Sequence, residues 1–376
     1  MPGTECDLHR IPTVELHRHF EAGLRPEMIA RLAQRNHLTE ARTRTGLLIE
    51  ELDPCDPESI RRYYAEIATR FPGPGGFARF VDSFGVALGV FRTPEDLEEA
   101  VFDQLIDCAE GGSLHTELRG SPLTYGEHVA ASHDEIVQAL VGGVQRAWDE
   151  RRVSGTFLLA FSRQRGLPGY DKVLPGGQAA PVAELAAKYH RPDCPVGLDI
   201  AGFPETTFPP LAFVEPLRSA REAGVPLTVH SGEQGEPPHF HDAPPTLIVE
   251  AVERLGATRI GHGTSLVASA DVRTFVRERG VAVECCPVSN ERMGFVRIPD
   301  HPLPLFLREH LLVSIGTDDP LMFGPFSVTD TFAAIAGPLG LQPSDLVQLT
   351  LNGLGSAFIT EERRQQLRAR LEAAGF

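Results

Sequence analysis

Short apolar runs rich in aliphatic and β-branched residues alternate with longer stretches of helical period from near residue 13 to near residue 317. This alternation marks repeated βα units that build a parallel sheet. The pattern predicts strands over Thr13–Leu16, Leu114–Leu118, Thr156–Ala160, Val196–Ile200, Pro226–Val229, Thr258–Gly261, Val281–Cys285 and Leu312–Ile315. Eight such runs point to an α/β fold, a closed (β/α)8 barrel of the TIM type. Right-handed crossovers then place the helices outside the strands.

The helices carry start and stop signals. Thr93-Pro94-Glu95-Asp96 combines an N-cap, a proline at the first helical position and early acids, ahead of Leu97, Val101 and Leu105 at helical spacing. Ser132 with Glu135 forms a capping-box pattern before Ile136, Leu140 and Val144. Ser269 opens another helix and Gly280 closes it. About 75 residues separate the first strand from Thr93, more than one crossover needs. They predict a helical cap over about residues 25–92, inserted above the barrel mouth of one domain spanning 1–376. Within it, Arg61, Arg62, Tyr63, Tyr64 and Phe71 are the candidates to touch the far end of a ligand. After Ser344 two terminal helices are expected, the last amphipathic through Leu367 and Leu371.

Composition narrows the partners. With 42% hydrophobic and 23% charged residues, the 376-residue chain can bury a large core and is neither disordered nor fibrous. Lys+Arg of 35 against Asp+Glu of 51 gives −16, which disfavours a phosphate-neutralising surface and hence nucleic acid. A small-molecule partner is expected instead. Lys172 and Lys188 are the only lysines. Six scattered cysteines without a CxxC pair read as reduced thiols. The N-terminus lacks a signal-peptide pattern and no apolar run approaches about 18 residues, so a cytoplasmic protein without membrane contact is expected. Nothing in the pattern sets an oligomeric state.

Catalytic groups of a parallel barrel sit at the carboxyl ends of its strands. Five predicted strands end in polar residues there: Leu16-His17-Arg18-His19, Asp199-Ile200-Ala201-Gly202, Val229-His230-Ser231-Gly232-Glu233, Gly261-His262-Gly263 and Gly316-Thr317-Asp318-Asp319. Alternation along the first strand puts His17 and His19 on one side. Three imidazoles and a carboxylate on one rim make a nitrogen and oxygen donor set suited to Zn²⁺, with room for water. Such an ion lowers the pKa of water from about 15.7 to near 7, which no lone side chain does.

Each piece has a plainer reading. A solitary histidine is usually structural, Asp318-Asp319 alone caps a helix before Pro320, and Glu233 alone is a loop acid. His239-Phe240-His241 follows prolines with no strand before it, and reads as solvated loop. Cys285 and Cys286 read as core packing, with a catalytic thiol as the competing nucleophile. Joint occurrence at successive strand ends favours the functional reading.

The ordered series resembles the adenosine deaminase branch of the amidohydrolase superfamily. It runs from Glu15-Leu16-His17-Arg18-His19-Phe20-Glu21 through Glu117-Leu118-Arg119-Gly120-Ser121-Pro122, Gly197-Leu198-Asp199-Ile200-Ala201-Gly202, His230-Ser231-Gly232-Glu233 and Gly261-His262-Gly263. It continues through Cys286-Pro287-Val288-Ser289-Asn290 and Thr317-Asp318-Asp319-Pro320 to Leu351-Asn352. The resemblance implies that His17, His19, His230 and Asp318 hold one Zn²⁺, with Fe²⁺, Co²⁺ or Mn²⁺ able to occupy the same donors. It implies that Glu233 protonates purine N1, that His262 orients and deprotonates the attacking water, and that Asp319 hydrogen-bonds that water and the N7 side. The Gly202 N–H would meet N3. Two-metal members want a carboxylated lysine at the end of strand four, and Gly197–Glu205 contains none.

The departures bear on substrate. Glu21, after Phe20, stands where nucleoside enzymes of the branch carry Asp, and adenine deaminases are similar there. Arg119-Gly120-Ser121-Pro122 resembles the nucleoside enzymes; Gly202-Phe203-Pro204-Glu205 and Ser231 match the usual pattern less well. The resemblance therefore implies removal of the 6-amino group of adenosine or deoxyadenosine, with aminodeoxyfutalosine and adenine as alternatives. Aminodeoxyfutalosine would require a cation at the 5′ end. A non-catalytic zinc- or nucleoside-binding protein, or another hydrolase of the superfamily, are the competing classes.

Overall fold

The computed structural model describes residues 8–73, 75–169, 171, 174–192, 196–203, 205–233 and 243–376. Its strands are β1 (Thr13–His19), β2 (Ser113–Gly120), β3 (Ser154–Ser162), β4 (Gly197–Ala201), β5 (Leu227–Ser231), β6 (Arg259–His262), β7 (Ala282–Cys285) and β8 (Leu312–Ile315). They form one sheet in the order β1 to β8, every pair parallel. All eight expected strands are present. The first runs three residues beyond its last apolar position, because polar His17, Arg18 and His19 keep extended backbone.

Backbone bonds between the end of β1 and Asp318 close the barrel. Asp318 N–H donates to His17 O at 2.8 Å, and His19 N–H donates to Asp318 O at 3.0 Å. The buried Glu15 carboxylate adds a side-chain stitch, accepting from His17 N–H at 2.9 Å and Thr317 N–H at 3.0 Å. The segments carrying the candidate ligands are thus locked to one another before any side chain is considered.

The expected caps form. Thr93 and Asp96 make a reciprocal capping box, as do Ser132 and Glu135, and the Ser269 side chain accepts from Val272 N–H. Between β1 and Thr93 lie three helices, α1 (Pro26–Arg35), α2 (Pro57–Ala68) and α3 (Gly76–Leu88), followed by α4 (Pro94–Glu110). Leu97, Val101 and Leu105 of α4 are buried. The chain ends in the helices Pro343–Ser356 and Glu361–Ala373, the latter burying Leu367 and Leu371. No helix among the described residues is long and apolar enough to cross a membrane.

Charge occupies much of the barrel interior. Arg119 lies 2.9 Å from Glu284 and 3.5 Å from Asp199, Arg259 lies 2.7 Å from Glu284 and pairs with Glu117, and all are buried. Small residues make room for the chain above this network. A Cβ on Gly316 would stand 2.5 Å from His17 Cβ and 2.9 Å from His17 O. Gly316→Ala is therefore expected to destabilise the fold by about 1–3 kcal/mol through overpacking and to displace His17. Thermal denaturation beside metal content checks this, and an unchanged midpoint with full metal would refute it.

Candidate metal centre and active site

Four donor atoms from the ends of β1 and β5 and the segment after β8 converge. His17 Nε2 lies 3.1 Å from His230 Nε2, and His19 Nε2 lies 3.2 Å from that same atom. Asp318 Oδ1 lies 3.4 Å from His17 Nε2 and 3.3 Å from His19 Nε2. A tetrahedron with zinc–ligand bonds of roughly 2.0–2.1 Å has edges of about 3.4 Å, which these four separations match, with His230 Nε2 and Asp318 Oδ1 each near both His17 and His19.

The outer nitrogens strengthen this fit. His17 Nδ1 faces Glu284 Oε2 at 2.7 Å, and His230 Nδ1 faces Asp199 Oδ1 at 3.0 Å. Both carboxylates are held ionised: burial works against the charge, but the Arg119 guanidinium and the imidazoles outweigh it. Each carboxylate therefore favours a proton on the Nδ1 it faces, and in their neutral forms His17 and His230 turn Nε2 lone pairs toward one another. Such an arrangement is repulsive unless a cation lies between them. Burial also holds His19, at a pKa of about 3, and His230 neutral, the form that ligates, whereas at His17 the hydrogen bonds to Asp318 and Glu284 outweigh burial and push the pKa up.

His262 stands at the edge of the cluster. His17, His230, His262 and Asp318 each bring one donor atom within 4.8 Å of the others, as do His19, Asp318 and Asp319. His262 Nε2, however, lies 3.4 Å from Glu233 Oε2 and 3.9 Å from Asp318 Oδ2, facing the second carboxylate oxygen instead of the one the other imidazoles share. Ser289 Oγ donates to that second oxygen at 2.6 Å. His262 (φ 63°) and Asp318 (φ 61°) both adopt the left-handed region, a backbone strain that clusters at functional positions.

Glu233 and Asp319 are buried acids of a different character. Burial, reinforced by the charges of Asp318 and Glu205, pushes the Glu233 carboxyl well above its ordinary range. Burial and the neighbouring Asp318 do the same to Asp319. Asp319 precedes the short helix Pro320–Phe323 but makes no capping bond, and its Oδ1 has no hydrogen-bond partner among the described residues. The capping alternative fails, and this carboxyl is left to the cavity. Gly202 has φ 86°, and a Cβ there would stand 2.3 Å from Gln164 Oε1 and 2.6 Å from Ser162 Oγ, so no larger residue fits.

One cavity of about 530 Å³ joins these groups, with His19, Glu21, Gly202, His230, Glu233, His262, Asp318 and Asp319 in its wall. Glu21 is buried and accepts from Tyr125 Oη at 2.7 Å. The two departures on β5 and after β4 meet: Ser231 Oγ donates to Glu205, whose other oxygen accepts Gly232 N–H at 2.8 Å. Together they pin the turn that presents Glu233.

Some expectations need correction. Arg61, Arg62, Tyr63, Tyr64 and Phe71 do not line the cavity. Arg61 pairs with Glu27 and Glu58, Tyr64 donates to Ser83 O at 3.0 Å, and Phe71 packs against Phe323. Arg44 and the α3 residues Phe77, Phe80 and Phe84 line it instead. The catalytic-thiol alternative also loses support, since burial pushes the Cys285 and Cys286 thiols well up and leaves them protonated. Cys55, Cys108, Cys285 and Cys286 are free thiols. His239 and His241, Lys172, Cys6 and Cys194 lie outside the described residues. Sequence reasoning missed Glu284 as the partner of His17; its signal was a lone acid between Val283 and Cys285 on an otherwise apolar strand.

The adenosine deaminase family model matches residues 12–374. An adenosine deaminase from Yersinia enterocolitica is 30% identical over 371 residues, covering 96% of this chain and 98% of its own. An adenine deaminase from Rhodospirillum rubrum is 29% identical, covering 97% of each. Among solved structures, the adenine deaminase from Arthrobacter aurescens has a TM-score of 0.77 at 26% identity, over 96% of this chain and 98% of that one. The chain belongs to the adenosine deaminase family.

Proposed function

We propose that the protein hydrolyses the 6-amino group of a purine nucleoside, adenosine or deoxyadenosine first, giving the 6-oxo purine and ammonia. The observation that carries this reading is the buried Glu233, its carboxyl pushed well up by burial, sharing one cavity wall with His19, His230 and Asp318, whose donor atoms meet those of His17 behind it. Those four residues would hold one divalent ion, Zn²⁺ first. The chemistry such an ion supplies is acidification of water, which makes a nucleophile available at neutral pH.

The chain's own residues do the rest. Adding water to an aromatic ring carbon requires an acid on the ring nitrogen and a base on the nucleophile together. Glu233 delivers its proton to N1 as water adds to C6. His262, kept neutral by burial, takes the proton that the water gives up and returns it to the amino group, which leaves as ammonia as its bond to C6 breaks. The proton of the new C6 hydroxyl passes back to Glu233 as the oxo group forms. Asp319 hydrogen-bonds the incoming water and the N7 side, and the Gly202 N–H holds N3. The aromatic rings of Phe77, Phe80 and Phe84 on α3 give the cavity an apolar side facing these transfers.

One observation favours a second reading, a 6-aminopurine nucleoside extended at its 5′ end by an acid, of the aminodeoxyfutalosine type. Arg44 lines the cavity, yet no side-chain hydrogen bond or ion pair engages it among the described residues. The charges acting on it are those of Arg165, Glu127, Glu21 and Asp171, which places it at the Glu21 end. Adenine, the third candidate, leaves that end empty.

Ammonia release from adenosine, deoxyadenosine, adenine and aminodeoxyfutalosine, with wild type and Arg44→Gln, tests the proposal. Turnover of a nucleoside is expected. If the acid-bearing compound is preferred, Arg44→Gln should cost it about tenfold or more in kcat/KM and leave adenosine unaffected, because a charged hydrogen bond is lost. Ammonia from none of the four would overturn the substrate assignment.

A further inference from the structure

Behind the two proton-transferring groups stands a buried amide that has no part in the mechanism above. Asn290 lies on the short helix Pro287–Arg292, just after the strand-seven end. Its Nδ2 is 3.2 Å from His262 Nδ1 and 3.3 Å from Glu233 Oε1. Its Oδ1 is buried and has no hydrogen-bond partner among the described residues. The backbone is anchored: Asn290 N–H donates to Cys286 O at 3.0 Å, and Asn290 O accepts from Phe295 N–H at 2.8 Å. The neighbouring Ser289 meanwhile fixes Asp318. Adjacent residues of one turn therefore address a candidate ligand and the candidate base.

The amide has two orientations related by a half-turn, and its partners' protons decide between them. With Nδ2 toward His262, the imidazole accepts at Nδ1 and carries its proton on Nε2. That tautomer has no lone pair on the cavity side and cannot take a proton there. It also leaves the amide oxygen buried without a donor. With Oδ1 toward His262, the imidazole donates from Nδ1 and frees the Nε2 lone pair. The same half-turn puts an acceptor 3.3 Å from Glu233 Oε1, which suits a carboxyl that keeps its proton. One rotation gives the amide oxygen two partners and prepares both groups for their roles, while the amide nitrogen moves to the position Oδ1 held.

We infer that Asn290 is a positioning residue whose amide oxygen accepts from His262 Nδ1–H and so fixes the imidazole tautomer that can act as base. The inference rests on the reading of His262 given under the proposed function, and it goes further by naming what sets that group's state.

Nitrogen-15 NMR of histidine-labelled, zinc-loaded protein tests it directly, with the His262 signal assigned by its disappearance in His262→Gln. The Nδ1–H tautomer is expected in the wild type. Asn290→Asp, which can only accept, should keep that tautomer, whereas Asn290→Leu, of similar size and unable to accept, should lose it. With the substrate turned over by the wild type, Asn290→Leu should lower kcat about tenfold or more with KM within about twofold, and Asn290→Asp should recover part of the loss. An Nε2–H tautomer in the wild type, or one unaffected in Asn290→Leu, would overturn the inference. The spectrum does not depend on turnover. A wild type with the expected tautomer and no deaminase activity would sink the functional reading and leave the role of Asn290 standing.

Discussion

Glu233→Gln should lower turnover by about 10²–10⁴-fold while the protein keeps its metal, the range expected for loss of a positioned general acid. Glutamine fills the same volume and still offers a hydrogen bond, but it has no acid proton to deliver to a ring nitrogen. The residue it replaces is held in its protonated form by burial and by Asp318 and Glu205, an environment suited to a donor and hostile to a ligand. Glu233 also stands outside the four convergent donor atoms and reaches His262 and Asn290 among the described residues. Ammonia-release kinetics with metal analysis of the same sample check both halves. Turnover within tenfold of wild type would remove Glu233 from the acid role. The variant also separates the enzyme from a non-catalytic binding protein, for which this substitution would affect binding alone.

Asp318→Ala should have the larger effect, removing metal and turnover together. Its Oδ1 is the sole carboxylate oxygen among the four converging donors, and three neutral imidazoles are a weaker cage for a dication. Its backbone contributes as well, since the left-handed conformation at Asp318 lets one residue bond both His17 and His19. Substoichiometric metal after dialysis, with activity below detection and not restored by saturating Zn²⁺, is the expected outcome. Full metal content in the folded variant would show that the ion lies elsewhere.

Much of this site was legible in the sequence because barrel geometry converts strand ends into neighbours. His17, His19, His230, His262 and Asp318 lie up to about 300 positions apart, yet each follows an apolar run, and the fold brings such positions to one rim. The caps at Thr93, Ser132 and Ser269 were legible for a local reason, since a cap involves residues three apart.

The remainder depended on contacts that no spacing records. Arg44 sits in a segment without periodicity that is tied to Asp82 of α3, where Arg44 N–H donates to Asp82 O at 2.8 Å and Thr45 N–H to Asp82 Oδ1 at 2.8 Å. Arg61 and Arg62 were the cations the sequence singled out, but α2 directs Arg61 toward Glu27 and Glu58. Glu284 and Asn290 flank a strand end within ordinary-looking sequence, and their importance comes from facing an imidazole of β1 and one of β6.

Anomalous diffraction across the zinc absorption edge, from crystals of protein whose metal content has been measured, tests most directly whether one ion sits among the four candidate ligand side chains. A single peak is expected at roughly 2.0–2.2 Å from His17 Nε2, His19 Nε2, His230 Nε2 and Asp318 Oδ1. A peak bound by any other set of side chains, or two peaks at the barrel mouth, would contradict that expectation.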